Sequence, residues 1–223
     1  MKTAILQSNY IPWKGYFSLI QSVDTLILYE DAQFTSNDWR NRNYVKTAKG
    51  RQILTVPVLS RFGQKIKEVE IAQDNWAQKH LETIRHSYRR AEHFKTVYPW
   101  VEELYLTATF NFLSELNQHF LYAIMDYLQI ELSILNSSNF DLDGDKNQKL
   151  IDMCLETETK VYVSGPTAKV YINEKMFEKC GIEVSWFSYA NLPAHPQLWN
   201  SYIQNVSVLD LLFNCGKKSR NFL

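Results

Sequence analysis

The first thirty residues constrain the fold most, because they place a short apolar run on each side of a polar loop. Thr3–Leu6 and Leu26–Tyr29 are apolar runs of strand length, and Ser18–Val23 between them has helical periodicity. This order predicts a strand, a loop, a short helix and a second strand. Such a unit crosses over in the right-handed sense, so the loop Gln7–Phe17 lies at the carboxyl end of a parallel sheet. Ligands of open α/β sheets bind at that edge, and we expect this loop to contribute to a binding site.

The rest of the chain extends the same class of fold. Two strand patterns separated by Gly50 predict a β-hairpin, and later strand patterns alternate with helical ones. Consecutive helical patterns at about residues 75–129 interrupt the alternation and predict a helical insert. We therefore predict an α/β protein with a Rossmann-like, mostly parallel sheet, a β-hairpin and a helical insert. Residues 1–223 are expected to form a single domain.

Composition limits the classes of function. The 24 lysines and arginines balance the 24 aspartates and glutamates, so we expect no binding to nucleic acid through bulk charge. No segment has the roughly eighteen apolar residues of a spanning helix, and the N-terminus lacks a signal-peptide pattern. Cys154, Cys180 and Cys215 have no metal-ligand spacing, which predicts no metal site and suits a reducing compartment. We expect a cytoplasmic protein without a membrane span; its cofactor and oligomeric state stay open.

A second polar loop follows the second predicted strand. Residues 35–43 combine amides, an indole and two arginines with almost no aliphatic side chains. One interpretation is a solvated loop in which Asn and Asp make local turns. The other is a recognition loop, in which Arg42 pairs with a phosphate or carboxylate while Asn41 and Asn43 bind hydroxyl groups. Trp39 favours recognition, since a large aromatic side chain is costly to leave in an idle surface loop.

A further strand–loop–helix junction occurs later in the chain. The predicted strand Val161–Val163 is followed by small residues, Ser164 and Gly165, and then by a predicted helix. Backbone N–H groups at such a junction can bind an anion, although an ordinary tight turn has the same pattern. If this loop lies at the same edge of the sheet as the first, Ser164 and Gly165 are candidate substrate-binding residues.

His80 is the best candidate for acid–base chemistry. It flanks the apolar stripe of a predicted helix, one turn from Trp76 and from Ile84. A lone half-buried histidine more often packs than catalyses, but imidazole titrates near neutrality. No Ser-His-Asp or Cys-His pattern is legible, so we expect no covalent intermediate.

The chain resembles the WbqC-like protein family over nearly its whole length. The resemblance is carried jointly by Gln7 with Pro12–Phe17, Asp38–Asn43, Leu54–Val58, Trp76–Ile84, Tyr162–Pro166 and Ser207–Asn214. It implies an association with bacterial polysaccharide and O-antigen gene clusters. It also implies a transferase that moves glycine, an amino-acyl group, onto an amino sugar or sugar nucleotide.

A second resemblance concerns the nucleotidylyltransferase superfamily, whose first loop carries the motif H-x-G-H. In this chain Trp13 and Tyr16 stand at the two histidine positions, and Val163–Lys169 is similar to the second phosphate motif of that superfamily. The resemblance implies a nucleotidylyltransferase-like sheet and nucleotide binding. Phosphate transfer assisted by the histidine pair is not expected, because neither an indole nor a phenol can act as an imidazolium.

The leading hypothesis is a cytoplasmic transferase whose small-molecule substrate is a sugar nucleotide or an amino sugar. The expected substrate-binding residues are Gln7, Asn9, Lys14, Gly15, Tyr16, Trp39, Asn41, Asn43, Ser164 and Gly165. His80 would take the proton of an attacking amine, and backbone N–H groups or Arg42 would face the oxyanion. The alternatives are a degenerate nucleotidylyltransferase-like enzyme and a non-catalytic protein that binds a nucleotide or sugar.

Overall fold

The structure, a computed structural model, describes residues 1–72, 74–199 and 201–223. These residues divide into two compact units. The first unit comprises Met1–Gln7, Ser18–Asp31 and Glu131–Asn191, and the second comprises Ser8–Phe17, Ala32–Ile130 and Leu192–Leu223. That residues 1–223 form a single domain stays a prediction.

The strands and helices of the described residues follow the chain in this order. The strands are β1 (Lys2–Leu6), β2 (Thr25–Leu28), β3 (Arg42–Thr47), β4 (Gly50–Thr55), β5 (Val58–Leu59), β6 (Glu70–Ile71), β7 (Ser133–Asn136), β8 (Val161–Ser164) and β9 (Glu183–Trp186). The α-helices are α1 (Lys14–Ile20), α2 (Trp76–Tyr88), α3 (Phe94–Leu106), α4 (Leu113–Tyr127), α5 (Lys146–Glu156), α6 (Glu174–Lys179) and α7 (Leu209–Cys215).

The first unit contains a parallel sheet with the spatial order β7-β2-β1-β8-β9. Every neighbouring pair of strands in it is parallel. Numbered along the chain, these strands have the order 3-2-1-4-5, as in the doubly wound dinucleotide-binding fold. The predicted α/β class and Rossmann-like, mostly parallel sheet are therefore confirmed.

Helices cover this sheet because its strands are too apolar to face water. All four residues of β2 are buried, as expected for a central parallel strand. Ile5, Ile27 and Tyr162 belong to a core that includes Phe177 of α6. The rings of Tyr162 and Phe177 stack with their centroids 5.4 Å apart, which fixes the helix against β8.

The second unit contains the predicted β-hairpin and the longer helices. β3 and β4 pair antiparallel from Arg42↔Thr55 to Thr47↔Gly50, and Gly50 turns the chain with a φ of 102°. The helices α2, α3 and α4 fall within residues 75–129 and bury Ile84, Val101 and Phe120, among other side chains. Among the described residues no helix has the length and apolar character needed to cross a membrane.

The predicted first loop is shorter in the structure, because α1 begins at Lys14. Lys14, Gly15 and Tyr16 therefore lie in a helix, and their prediction as loop residues is wrong. The indole of Trp13 covers Gly15: a Cβ added there would lie 2.3 Å from a Trp13 ring carbon. Glycine, which disfavours helix elsewhere, is required here because a side chain would displace the ring.

We predict that Gly15→Ala destabilises the protein by about 1–3 kcal/mol, since the added methyl group overlaps the Trp13 ring. The same substitution in a Trp13→Ala background should instead stabilise it by up to about 1 kcal/mol, the helix-propensity difference. Urea unfolding of the four proteins of this double-mutant cycle measures both effects. Stabilisation by Gly15→Ala in the presence of Trp13 would contradict the contact.

Candidate functional site

Asn43 holds the polypeptide that follows β1 in a strained conformation. Its Nδ2 donates to the carbonyl oxygens of Tyr10 at 3.1 Å and Ile11 at 2.7 Å. Ile11 has a φ of 41°, a left-handed conformation that is rare for a β-branched residue and costs about 1–3 kcal/mol. The Tyr10 N–H also donates to the Trp39 carbonyl at 2.9 Å. Residues 8–13 are therefore fixed against the start of β3.

Around this loop, several buried polar atoms have no hydrogen-bond partner among the described residues. They are the Oδ1 atoms of Asn9, Asn41 and Asn117 and the Nε and Nη2 atoms of Arg42. We term these four side chains the amide–arginine cluster. Asn9 precedes Tyr10, which bonds to the residues before β3, and Asn41 and Arg42 directly precede Asn43. Three members of the cluster thus come from the two segments that Asn43 ties together.

The fourth member, Asn117, comes from α4 and reaches the same two segments. Its Nδ2 donates to the Arg40 carbonyl at 2.9 Å and to the Ser8 hydroxyl at 3.2 Å. The side chain is completely buried. Sequence reasoning missed it, although a signal existed: Asn117 stands one turn after Leu113 and one turn before Leu121, within the apolar stripe of the helix.

The amide–arginine cluster is costly in the protein alone. A buried polar atom without a partner costs about 1–3 kcal/mol, and native proteins pair nearly all of them. The guanidinium donors of Arg42 match phosphate or carboxylate oxygens, and the three amide oxygens can accept from hydroxyl or ammonium groups. The cluster therefore suits an anionic ligand that also carries hydroxyl or amino groups.

An exposed aromatic side chain lies beside the cluster. Trp39 is 43% exposed, and its ring meets the Tyr44 ring edge-on at a centroid distance of 5.9 Å. Tyr44 and Arg42 occupy the same face of β3, because alternate residues of a strand share a face. The Arg51 guanidinium covers the Tyr44 ring at 4.9 Å. The indole is thus supported by packing and keeps a face available for a ligand ring.

Lys14 and Tyr16 make contacts within the protein instead. The Lys14 ammonium donates to the carbonyl oxygens of Pro193 and Phe222. Burial lowers the pKa of Lys14, while nearby Cys215 acts in the opposite direction. Tyr16 is buried, with its ring at 5.9 Å from that of Phe17. Their role in substrate binding stays a prediction, and the geometry assigns Lys14 to fixing the C-terminal segment.

A second buried lysine, Lys46, organises the loop that precedes α7. Its ammonium donates to Gln197 Oε1 at 2.9 Å, to the Ser201 carbonyl at 2.7 Å and to the Trp199 carbonyl at 3.2 Å. Trp199 and Ser201 have φ values of 68° and 67°. Burial lowers the pKa of Lys46. All three of its donors have partners, so this ammonium stabilises a strained loop rather than binding a ligand.

Asp210, in α7, accepts hydrogen bonds from two side chains of this loop. Its Oδ2 accepts from His195 Nε2 at 2.8 Å and from Gln197 Nε2 at 2.7 Å. Sequence reasoning did not select His195, Lys46 or Asp210. The signal for Asp210 is a single carboxylate within the otherwise apolar run Leu209–Phe213, where a buried charge requires partners.

His80 is buried, and both of its ring nitrogens have partners. The Thr55 carbonyl can only accept, so Nε2 carries the proton and donates to it at 3.1 Å. Nδ1 then accepts from the Tyr10 hydroxyl at 2.8 Å, and Tyr10 accepts from Tyr105. Burial lowers the pKa of His80 to about 4, against a small opposing effect of the Thr55 carbonyl. The imidazole is neutral at pH 7, and its role as a general base stays a prediction.

Three predicted residues of the first unit meet at one edge of the sheet. Gln7 follows β1, Ser164 ends β8, and Gly165 comes next. β1 and β8 are neighbours with Ala4 opposite Val163, so these carboxyl ends adjoin. The chain leaves β1 in one direction for β2 and later returns on the other side for β8, which makes this the topological switch point where open α/β sheets bind ligands.

Comparison with known proteins identifies the family of the chain and one similar protein. The family model for the WbqC-like protein family matches residues 7–222. The chain belongs to the WbqC-like protein family. This WbqC-like chain is 43% identical over 224 residues to "Uncharacterized protein Rv1507c" of Mycobacterium tuberculosis (strain ATCC 25618 / H37Rv), and the match covers 100% of this chain and 97% of the relative. No solved structure matches the chain.

The lowered pKa of His80 predicts a loss of stability in acid. The unfolded chain binds a proton below about pH 6.5 and the folded chain only below about pH 4. The free energy of unfolding should therefore fall as the pH decreases through this window, by on the order of 3 kcal/mol. Urea unfolding at pH 7 and pH 4 measures the loss. His80→Gln should reduce it, whereas His86→Gln, an exposed control on the same helix, should not. Equal losses in all three proteins would contradict the assignment.

Proposed function

We propose that this protein is a cytoplasmic transferase of bacterial polysaccharide biosynthesis that binds a sugar nucleotide or amino sugar at the amide–arginine cluster. The observation that carries the proposal is the pair of buried Arg42 donors that have no partner within the described ranges. Three buried amide oxygens of the same unit, on Asn9, Asn41 and Asn117, are likewise without a partner there. Membership of the WbqC-like family supports the polysaccharide context, through what the resemblance implies.

Each part of such a substrate has a matching group in the cluster. A guanidinium forks onto phosphate oxygens, so Arg42 would bind the phosphate of the sugar nucleotide or sugar phosphate. The Oδ1 atoms of Asn9, Asn41 and Asn117 would accept from sugar hydroxyl or ammonium groups. The exposed indole of Trp39 would stack on a ring of the ligand.

For the reaction we propose transfer of glycine onto the amino group of the sugar. The amine nitrogen attacks the carbonyl carbon of an activated glycyl ester, an amide bond forms, and the bond from the carbonyl carbon to the leaving group breaks. The amine proton passes to a base. In this step backbone N–H groups would face the oxyanion, because the donors of Arg42 would already bind the phosphate. If His80 is the base, it must first release its bond with Tyr10 or Thr55.

A second candidate function is nucleotide binding by the first unit, as in the degenerate nucleotidylyltransferase-like alternative. The observation that favours it is the switch point between β1 and β8, where Gln7, Ser164 and Gly165 meet. Gly165 leaves room there: a Cβ added to it would lie 3.3 Å from the Tyr189 hydroxyl, so a larger residue would fill the edge.

Arg42→Met should weaken sugar-nucleotide binding without destabilising the free protein. It removes two unpartnered buried donors, each worth about 1–3 kcal/mol of unfavourable energy, so the thermal midpoint should stay equal or rise. Affinity for a UDP-linked amino sugar should fall roughly 10- to 100-fold, the value of a charge-assisted contact. A thermal-shift titration measures both. Arg85→Met, at an exposed position of α2, should keep wild-type affinity. Unchanged binding by Arg42→Met would refute the proposal.

The nucleotide candidate makes a separate prediction for ATP. The thermal shift caused by ATP should disappear in Gly165→Val, because the added side chain approaches Tyr189 and blocks the edge of the sheet. It should persist in Arg42→Met. Loss of the ATP shift in Arg42→Met but not in Gly165→Val would exclude the switch point and place the nucleotide at the amide–arginine cluster.

A further inference from the structure

The loop between β5 and β6 presents a phenylalanine to solvent. The side chain of Phe62 is fully exposed, and Leu59, three residues earlier, is 60% exposed. Burying a side chain of this size normally contributes about 1.5–3 kcal/mol, so a fully exposed phenylalanine forgoes that gain. Single exposed apolar residues are common on surfaces. The surroundings of Phe62, however, form a structured cavity.

The turn that carries Phe62 is fixed by hydrogen bonds. The Arg61 N–H donates to Gln64 Oε1 at 2.9 Å, and the Gln64 N–H donates to the Arg61 carbonyl at 3.3 Å. Gln64 Nε2 in turn donates to the Glu68 carbonyl at 2.5 Å. The Phe34 N–H also donates to the Gln64 carbonyl at 2.8 Å. Phe62 therefore lies in an ordered turn, and its side chain is exposed to solvent.

The same turn borders an open cavity of about 710 Å³. This volume lies in the range of small-molecule sites, roughly 300–1,000 Å³. The exposed side chains of Phe62 and Leu59 lie at its rim. Glu68, Glu70 and Arg61 supply charge, with two carboxylates against one guanidinium. The lining thus has a net charge of −1 and an exposed aromatic face.

We propose that this cavity binds a saccharide that carries a free primary ammonium group. An ammonium group is attracted both to an aromatic face and to carboxylates, and the two attractions act together here. Glu68 Oε2 accepts from the Lys65 N–H at 3.0 Å, so Glu70 and the Oε1 atom of Glu68 would bind the ammonium group. Phe62 and Leu59 would cover the apolar face of the sugar ring. The inference rests on the proposed function in one respect, since it supplies a subsite for the amino-sugar chain on which the transferase acts.

Titration with the deacetylated trimer of glucosamine at pH 6, monitored by saturation-transfer NMR, tests the proposal on the full chain. We expect saturable binding, and at least about fivefold weaker binding by Phe62→Ser and by Glu70→Gln. Both residues are exposed, so the variants should fold. Leu106→Ser, which removes another exposed apolar side chain, should bind like the wild type.

Three results would overturn the inference. They are no binding of the trimer, equal binding of its N-acetylated counterpart, and tighter binding of a trilysine peptide, which would indicate a protein partner. These results are distinct from a failure of the proposed function. That function is tested separately, by whether binding of the sugar nucleotide depends on Arg42. The loss of trimer binding caused by Phe62→Ser and by Glu70→Gln should be the same in the Arg42→Met background, because the cavity and the amide–arginine cluster are then tested independently.

Discussion

The hydrogen bonds of Asn43 to the carbonyl oxygens of Tyr10 and Ile11 are the constraint on which the second unit's candidate site depends. They hold a β-branched residue at a φ of 41°, which an isolated loop would not adopt. Two bonds of about 1 kcal/mol each are of the same size as the strain they oppose. Without them the segment that carries Asn9 would relax away from Asn41 and Arg42.

The buried Lys46 and the half-buried Arg42 show how a structural role and a binding role of a cation can be told apart. Lys46 has an oxygen for each of its three donors, and its burial is compensated within the protein. Arg42 has two buried donors for which the described part of the chain offers no acceptor. Since desolvating a charged group is expensive unless it is paired, the Arg42 donors would gain energy from a ligand that supplies acceptors, whereas the Lys46 ammonium would not. This contrast directs the functional proposal to Arg42 rather than to Lys46.

Part of the fold and part of the candidate site could be predicted from the sequence, and particular elements show why. The parallel sheet followed from short apolar runs in alternation with helices, which is a local pattern. Asn41, Arg42 and Asn43 could be selected because one short loop concentrates amides and arginines. Asn117 and Asp210 could not be selected in this way, because each stands alone among apolar helical residues and acquires its role from partners outside its own helix. The start of α1 at Lys14 was also missed, since Gly15 lowers helix propensity and its packing against Trp13 is a tertiary effect.

The most direct test of the account observes the Arg42 guanidinium itself. In ¹⁵N-labelled protein, the Arg42 Nε–H resonance can be assigned by its absence in Arg42→Met and then followed during titration with a UDP-linked amino sugar. We expect a saturable downfield shift of this resonance, as the donor gains an anionic acceptor, while the resonance of Arg85, exposed on α2, stays in place. Saturable ligand binding that leaves the Arg42 resonance unmoved would contradict the account.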